Sequence, residues 1–272
     1  MAFKNNIPLF YWSSVIFEKK KTENYGDLLS LYLVEKISGK PVTYYNAPKK
    51  RKAWIQKQHL MAIGSIMSYA TSKAYVWGSG IISKKDVFTE ANFLAVRGPK
   101  SRARVLELGY SCPEVYGDPA LLLPNFYVPE VPKTHTLGII PHYIDYQEAV
   151  AQFEHDPSVK VINLLGDDVE EITQEILSCE QTLSSSLHGV IVSHAYGIPS
   201  VWVRFSDKLT GDNVKFEDYF LSVDLVPYTG KSITKEDTAA TLTPLFQGQS
   251  TVPKNEVLEN LKKNLLNAFP GV

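Results

Sequence analysis

A serine-rich turn followed by a histidine is the feature of this sequence best suited to chemistry. Residues 183–191 read LSSSLHGVI, at the point where a predicted apolar strand should pass into a predicted helix. The first turn of a helix presents free backbone N–H groups, and such an end attracts anions, phosphate above all. We therefore predict a binding site at Ser185, Ser186 and Leu187, with His188 placed to exchange a proton with the bound group. The alternative is a capped helix with a partly buried histidine.

A second polar cluster, at residues 97–102, reads RGPKSR. Pro99 suits the first position of a helix, so Arg97 and Lys100 lie at the end of a helix where positive charge is unfavourable. A bound anion would resolve the conflict, and an arginine can hold a carboxylate or phosphate through two parallel hydrogen bonds. We therefore predict that Arg97 and Lys100 bind substrate. The alternatives are an ion pair of Arg97 with a structural aspartate such as Asp118, and a solvated Lys100.

Two aspartates and a second histidine complete the set of groups that could move protons. Asp27 and Asp118 each follow a glycine. Each could act as a base, bind a hydroxyl, or hold the N–H groups of a turn. His142 follows a proline at the end of a predicted strand, so it is expected either to line the same cleft or to take a core or capping role.

Glycine turns at 64–65 and 78–80 predict close approach of the backbone to a ligand, and Gly26, Gly78 and Ser79 are expected to bind substrate. These turns have neither the Gly-Lys-Ser/Thr of a phosphate-binding Walker loop nor the spacing of a dinucleotide-binding fingerprint. The nearest pair of histidines, His188 and His194, does not have the spacing of metal ligands. We expect no metal site.

Composition narrows the class of protein. The 272 residues are 44% apolar and 21% charged, with a net charge of −1, which argues against a general nucleic-acid binder. Two distant cysteines, Cys112 and Cys179, are typical of a reduced compartment. No segment has the layout of a signal peptide or a membrane span, so a cytoplasmic protein is expected. The lysine-rich segments 19–21 and 49–52 are expected to be solvated, with anionic lipid headgroups as a possible peripheral contact.

Strands, glycine turns and helices alternate along the chain, which is typical of an α/β fold with parallel sheets. Ligands bind such sheets at the carboxyl ends of the strands, where the candidate residues fall. A proline-containing linker at 125–136 divides the pattern in two. We predict an N-terminal α/β domain at 1–128, a C-terminal α/β domain at 135–252, and a terminal helix within 253–272 that packs back on the first domain. The strands are expected at 9–12, 59–63, 74–77, 93–96, 115–116, 136–140, 159–164, 181–184 and 200–203. The helices are expected at 28–38, 99–108, 146–154, 169–178, 187–196 and 253–268.

In order and spacing, these landmarks resemble the polysaccharide pyruvyl transferase family, most closely its bacterial exopolysaccharide branch. The resemblance covers about residues 22–205. The segments that carry it are NYGD at 24–27, GSG at 78–80, VRGPKS at 96–101, GDPA at 117–120, IPH at 140–142, SSLHG at 185–189 and AYGIP at 195–199.

The resemblance implies a fold and an activity. The fold is two Rossmann-like parallel-sheet domains facing a cleft, similar to GT-B glycosyltransferases. The activity is transfer of pyruvate from phosphoenolpyruvate to two hydroxyls of one sugar, which gives a cyclic ketal. The acceptor is a sugar or a lipid-linked oligosaccharide of a surface polysaccharide, and no cofactor is required. In this scheme His188 is the general acid, and Asp27 or Asp118 is the base.

The sequence departs from the family at two positions. Many members have Arg-Asp where this chain has Arg97 and Gly98, and Arg-Leu-His where it has Ser186 before Leu187 and His188. The charge missing at Ser186 is expected to come from one of three cations, namely Lys100, Arg204 or Lys215.

Two alternative functions are compatible with the sequence. The first is a nucleotide-sugar-dependent GT-B glycosyltransferase, for which Glu217 or Asp218 would contact a ribose. The second is a non-catalytic carbohydrate-binding protein, which the missing arginine at position 186 favours.

Overall fold

Two five-stranded parallel sheets, each with helices packed against it, form the architecture. The computed structural model describes residues 3–46, 56–208, 211–247 and 251–270, so the basic segment 49–52 lies outside the described residues. In the first sheet the strand order is β2-β1-β3-β4-β5, and in the second it is β10-β9-β8-β6-β7. Every strand pair is parallel. The prediction of an α/β fold with two Rossmann-like parallel sheets is confirmed.

The strands of the first sheet are β1 (Ile7–Phe10), β2 (Val42–Tyr44), β3 (His59–Met61), β4 (Ala74–Trp77) and β5 (Asn92–Ala95). Those of the second sheet are β6 (His135–Ile140), β7 (Val159–Val161), β8 (Cys179–Ser184), β9 (Ser200–Arg204) and β10 (Lys231–Ser232). The α-helices are α1 (Ser14–Glu18), α2 (Tyr25–Ser38), α3 (Pro99–Glu107), α4 (Tyr146–Phe153), α5 (Val169–Leu177), α6 (Leu187–Ala195), α7 (Val214–Ser222), α8 (Ala239–Leu242) and α9 (Asn255–Asn267). Within the described residues, 3₁₀ turns occupy 67–69, 119–125, 143–145 and 243–246.

Several elements differ from the sequence-based expectation. The first strand ends at Phe10 instead of residue 12, because the Ser13 hydroxyl caps α1 by accepting a hydrogen bond from the Ile16 N–H. The short strand expected at 115–116 is only a single bridge between Val96 and Tyr116. The sequence pattern did not predict the edge strands β2 and β10 or the helices α1, α7 and α8.

Helix α6, which follows β8, is almost entirely buried. Eight of its nine residues are buried, and His188 is the exception. A helix that is buried on all sides belongs in a core, so its first turn is fixed rigidly relative to the strands around it. The position of His188 is therefore set by the packing of the whole helix.

The two halves of the chain share one continuous core. A single cluster of buried apolar residues includes β1 residues of the first sheet and α6 residues of the second half. Helices α7 and α9 belong to the second half of the sequence but contact the first half, through Asp218 with Arg97 and through Leu265 with Trp77. The domain boundaries at 128 and 135 stay a prediction. Within the described ranges, no helix has both the length and the apolar character needed to cross a bilayer.

Candidate functional site

A cavity of about 520 Å³ lies between the two halves, at the carboxyl ends of their strands. Trp12 follows β1, Ser65 follows β3, His142 follows β6 and His188 follows β8, so four strand ends open into one space. The polar and aromatic side chains of its wall are Trp12, Glu18, Asn24, Asp27, Ser65, Ser68, Tyr69, His142, Tyr143, Ser186, His188, Lys208 and Lys215. Leu187 also lines the cavity.

In the serine-rich turn, the hydroxyls of Ser184 and Ser185 make hydrogen bonds within the protein, whereas Ser186 lines the cavity. Ser184 Oγ donates to the carbonyl of Ile140 at 2.9 Å and accepts from the Ser186 N–H at 3.0 Å. Ser185 Oγ accepts from the His142 N–H at 2.8 Å, which links the turn after β8 to the turn after β6. Ser185 is fully buried and does not line the cavity. Ser186 precedes α6 without making a side-chain capping bond in the described part of the chain. The N–H groups in the first turn of α6 are therefore open to an anion in the cavity.

His188 lies between a buried carboxylate and the first turn of α2. Its Nε2 is 3.8 Å from Asp118 Oδ2, and both atoms are buried without a hydrogen-bond partner among the described residues. The other oxygen of Asp118 accepts from the Ala120 N–H at 3.0 Å and caps the 119–125 turn. A Cβ at Gly26 would overlap the His188 ring, so a glycine is required for α2 to approach this closely. Gly26 thus contacts the candidate catalytic histidine rather than the cavity itself.

Asp27 and Lys215 bring opposite charges to the cavity wall. Burial, together with the carboxylates of Glu23 and Glu18, raises the pKa of Asp27 well above its usual value. Burial and the positive charge of Arg97 lower the pKa of Lys215 to about 8, while Asp27 acts in the opposite direction. Both groups therefore change charge closer to neutral pH than exposed side chains do.

His142 is a neutral member of the cavity wall. Burial lowers its pKa to about 3, and the lysines Lys215 and Lys20 add to this effect. Its ring packs against Tyr143 with a centroid separation of 4.2 Å. At neutral pH His142 can therefore donate or accept one hydrogen bond, but it does not supply a positive charge.

Arg97 lies behind the cavity wall and is fully buried. Its Nε donates to Asp218 at 3.1 Å, and its two terminal nitrogens donate to Ser65 Oγ and the Ile81 carbonyl, each at 2.7 Å. All three nitrogens are thus used within the protein. The partner is Asp218 and not Asp118, the aspartate proposed from the sequence. Substrate binding by Arg97 stays a prediction, and this placement does not support it.

The anion expected at the start of α3 is a side chain of the protein. Asp218 Oδ1 accepts from the backbone N–H groups of Lys100 at 2.8 Å and Ser101 at 3.0 Å. The helix dipole and the arginine attract negative charge as the sequence implied, and this internal carboxylate supplies it. The Lys100 side chain pairs with Glu217 at 2.7 Å outside the cavity.

The glycine turn after β4 also packs against protein groups. Gly78 has a φ of +91°, and a Cβ there would overlap Pro119. Ser79 is fully buried and donates to the Gly64 carbonyl at 3.1 Å. The close backbone approach expected at Gly78 and Ser79 is therefore an approach to other parts of the chain, and neither residue lines the cavity.

Comparison with known proteins identifies the family. The family model for polysaccharide pyruvyl transferase matches residues 22–207. The chain belongs to the polysaccharide pyruvyl transferase family. It is also similar to "Uncharacterized protein L143" of Acanthamoeba polyphaga mimivirus, with 31% identity over 208 residues, 73% of this chain and 70% of that protein. The match runs from just before α2 to just beyond β9 and so includes most of the strand ends around the cavity. Polysaccharide pyruvyl transfer is the activity that this family implies.

The structure also shows which cavity residues of this pyruvyl transferase family member the sequence did not single out. Tyr143 follows the end of β6, where a strand-end argument could have found it. Ser65, after β3, lies in the 64–65 turn whose close approach to a ligand the sequence did predict. Glu18 and Lys215 lie on α1 and α7, which the sequence pattern did not predict, and Lys215 was considered only as a replacement for the family arginine. Lys208 also lines the cavity. Arg204, another proposed replacement, does not line it.

Among the described residues, no group of three or more His, Cys, Asp or Glu side chains is arranged to hold a metal ion.

Neither residue proposed for the ribose contact of a glycosyltransferase, Glu217 or Asp218, lines the cavity. Asp218 is fully buried against Arg97, and Glu217 pairs with Lys84 and Lys100 away from the cavity.

Proposed function

We propose that this protein transfers the pyruvyl group of phosphoenolpyruvate to two hydroxyls of one sugar, as a cyclic ketal, during assembly of a surface polysaccharide. The observation that carries the proposal is the convergence of the first turn of α6, His188 and Lys215 on one cavity in a member of this family. Family membership by itself supports polysaccharide pyruvyl transfer, without naming the donor or the ketal product.

The donor requires a site for two anionic groups. Phosphoenolpyruvate has a carboxylate and a phosphate, and the cavity offers Lys215, Lys208 and the open N–H groups at the start of α6. Ser186 stands where many family members have arginine, and Lys215 provides a positive charge in its place. His142, which is neutral, completes the site as a hydrogen-bond donor.

His188 is assigned to deliver the proton that starts the reaction. Protonation of the methylene carbon of phosphoenolpyruvate creates a cationic centre at C2, which a sugar hydroxyl attacks. The 3.8 Å gap between His188 Nε2 and Asp118 Oδ2 closes to a hydrogen bond when the substrate binds, because catalytic contacts are often long in the free enzyme. Asp118 then fixes the ring, and the Nδ1 of His188 donates to the substrate.

Asp27 is assigned to accept the proton of the attacking hydroxyl. Its raised pKa makes its carboxylate a stronger base than that of an ordinary aspartate. The C2–O bond to phosphate then breaks, and the second hydroxyl attacks C2 and gives its proton to the departing phosphate. The products are the ketal and hydrogen phosphate. Of the two hydroxyl protons, the second leaves on the phosphate, and the first passes from Asp27 back to His188 through solvent, which replaces the proton that His188 gave to the new methyl group.

The test is release of phosphate from phosphoenolpyruvate in the presence of methyl hexopyranosides, with the ketal methyl group followed by NMR. The variant His188→Ala should lower kcat by about 10²–10⁴-fold, the usual contribution of a general acid or base. His155→Ala is the matched control, because the His155 side chain is 85% exposed and does not line the cavity. Normal turnover in His188→Ala, with an unchanged melting temperature, would remove His188 from the mechanism.

The same protein separates the alternative functions. Phosphoenolpyruvate should raise the melting temperature, whereas UDP should not. Stabilisation by UDP alone would indicate a glycosyltransferase. Stabilisation by the glycosides without phosphate release would indicate a carbohydrate-binding protein.

A further inference from the structure

One part of the cavity is built from aromatic side chains around a carboxylate. We call it the aromatic wall and define it as Trp12, Glu18, Tyr69 and Tyr143, all of which line the cavity. The Trp12 Nε1–H donates to Glu18 Oε1 at 2.7 Å, and the Tyr143 hydroxyl donates to Glu18 Oε2 at 2.6 Å. Trp12 and Tyr69 have ring centroids 5.8 Å apart. These hydrogen bonds join the two halves of the chain, because Tyr143 follows β6 and Trp12 follows β1.

The donor alone does not account for this space. A cavity of about 520 Å³ falls within the range of about 300–1,000 Å³ that holds drug-sized ligands, whereas phosphoenolpyruvate is a much smaller molecule. The aromatic wall also carries the negative charge of Glu18, which repels a carboxylate and a phosphate. The donor is therefore drawn toward Lys215 and the start of α6, and the aromatic wall is left for an uncharged ligand.

The chemistry of the aromatic wall suits a pyranose ring. One side of a sugar ring presents C–H bonds, which pack well on the electron-rich face of an indole or phenol. Trp12 stacks on Phe17 at a centroid distance of 4.4 Å, and its Nε1–H bond to Glu18 further fixes its orientation. Each oxygen of Glu18 accepts one hydrogen bond from the protein and keeps a second lone pair for a sugar hydroxyl. A rigid aromatic face beside a carboxylate is therefore prepared for a sugar before it binds.

We propose that the aromatic wall is the acceptor subsite, which binds one neutral hexopyranose unit and presents its hydroxyls to the donor. This inference rests on the proposed function and names the residues that select the acceptor. Trp12 provides the stacking face, and Glu18 accepts hydroxyl groups of the sugar. Neither residue touches the anionic groups of the donor.

The experiment measures sugar binding separately from donor binding. Saturation-transfer NMR with methyl β-D-galactopyranoside and methyl β-D-glucopyranoside, at saturating inorganic phosphate, reports contact between sugar C–H groups and aromatic protons. The Trp12→Ala variant should weaken binding of at least one glycoside by about tenfold, the loss of an aromatic contact worth about 1.4 kcal/mol. Trp12→Phe keeps a stacking face and should lose less. Tyr75→Ala is the matched control, because Tyr75 is a partly buried aromatic residue of the first half that does not line the cavity.

The outcomes distinguish this inference from the proposed function. Unchanged sugar binding in Trp12→Ala, with phosphoenolpyruvate still raising the melting temperature, overturns the subsite and leaves the function intact. An absence of saturation transfer from the wild-type protein to either glycoside also overturns it. Equal losses of sugar binding in Tyr75→Ala and Trp12→Ala would show a general disturbance of the protein and likewise contradict it. A specific loss in Trp12→Ala supports the subsite even where phosphoenolpyruvate fails to bind. Should Trp12→Ala not fold, Trp12→Phe and Glu18→Gln provide the same comparison.

Discussion

At the scale of single residues, the charge of the cavity depends on pH near neutrality. Asp27 has a raised pKa and Lys215 has a pKa lowered to about 8, so the titration ranges of the acid and the base approach each other. Burial disfavours the charged form of both groups, which is the main cause of both shifts. In the proposed reaction the anionic donor favours the protonated lysine, whereas attack by a hydroxyl requires the deprotonated aspartate. We therefore expect the proposed reaction to have an acidic limit set by Asp27 and an alkaline limit set by Lys215.

The alkaline limit provides a prediction about Lys215. This lysine is cationic below its pKa of about 8, so the KM for phosphoenolpyruvate should rise as the pH increases through that value. Lys215→Arg keeps its charge to far higher pH and should abolish the rise. Below that pH, Lys215→Met should raise KM by about tenfold or more, the loss of a hydrogen bond to a charged group, and its difference from the wild-type protein should shrink as the pH rises above that value. Initial rates from about pH 6 to 10 measure this, with exposed Lys85→Met as the control. The same alkaline rise in Lys215→Arg would show that another group titrates.

At the scale of elements, a buried carboxylate joins α3 to α7. Asp218 on α7 binds the Arg97 side chain and the first N–H groups of α3, and Arg97 in turn holds Ser65 at the cavity wall. Lys215 precedes Asp218 by three residues on the same helix, so the ion pair also fixes the turn that carries Lys215. Arg97 and Asp218 therefore position cavity residues without lining the cavity themselves.

This arrangement predicts that Arg97 contributes chiefly to stability. Arg97→Met leaves the fully buried Asp218 without its cationic partner, so the free energy of unfolding should fall by about 3–5 kcal/mol. Lys100→Met removes a partly exposed ion pair with Glu217 and should cost less than about 1 kcal/mol. Urea unfolding measures both variants. Unchanged stability in Arg97→Met, together with a raised KM for phosphoenolpyruvate, would return Arg97 to the role of a substrate ligand.

The sequence predicts best those cavity residues that follow strands. Alternating strands and glycine turns place His142, Ser186 and His188 at carboxyl strand ends, and these ends converge by the geometry of parallel sheets. Arg97 satisfies the same rule but lies behind the cavity, because its partner Asp218 is 121 residues away in sequence. A local pattern cannot reveal such a partner. Glu18 and Lys215 were not placed in the cavity because a five-residue helix such as α1 and a helix after the last long strand carry weak periodic signals.

At the scale of the whole molecule, helix α9 of the second half packs against the first half and joins the two. Helix α9 packs along the first half, where the Trp77 Nε1–H donates to the Leu265 carbonyl at 2.8 Å. Phe269, just beyond α9, meets the Trp77 ring edge-on at 4.8 Å. A Cβ at Gly117 would lie 2.8 Å from the Leu265 side chain, so the glycine permits the close fit. The two halves that form the cavity walls are therefore joined by α9 and by the continuous core.

This fastening predicts that the two halves unfold together. Leu265 is fully buried, so Leu265→Ala should lower the free energy of unfolding by about 2–5 kcal/mol. Lys263→Ala, on the exposed side of α9, is the matched control and should change it by less than about 0.5 kcal/mol. Urea unfolding followed by tryptophan fluorescence and by far-ultraviolet circular dichroism should give one coincident transition, because one core includes residues of both sheets. Two separate transitions would instead show that the halves unfold independently. If Leu265→Ala lowered the midpoint of only one of them, α9 would stabilise only that half. A cavity formed between independent halves would then lose one wall before the other, whereas a single transition would show that both walls are lost together on unfolding.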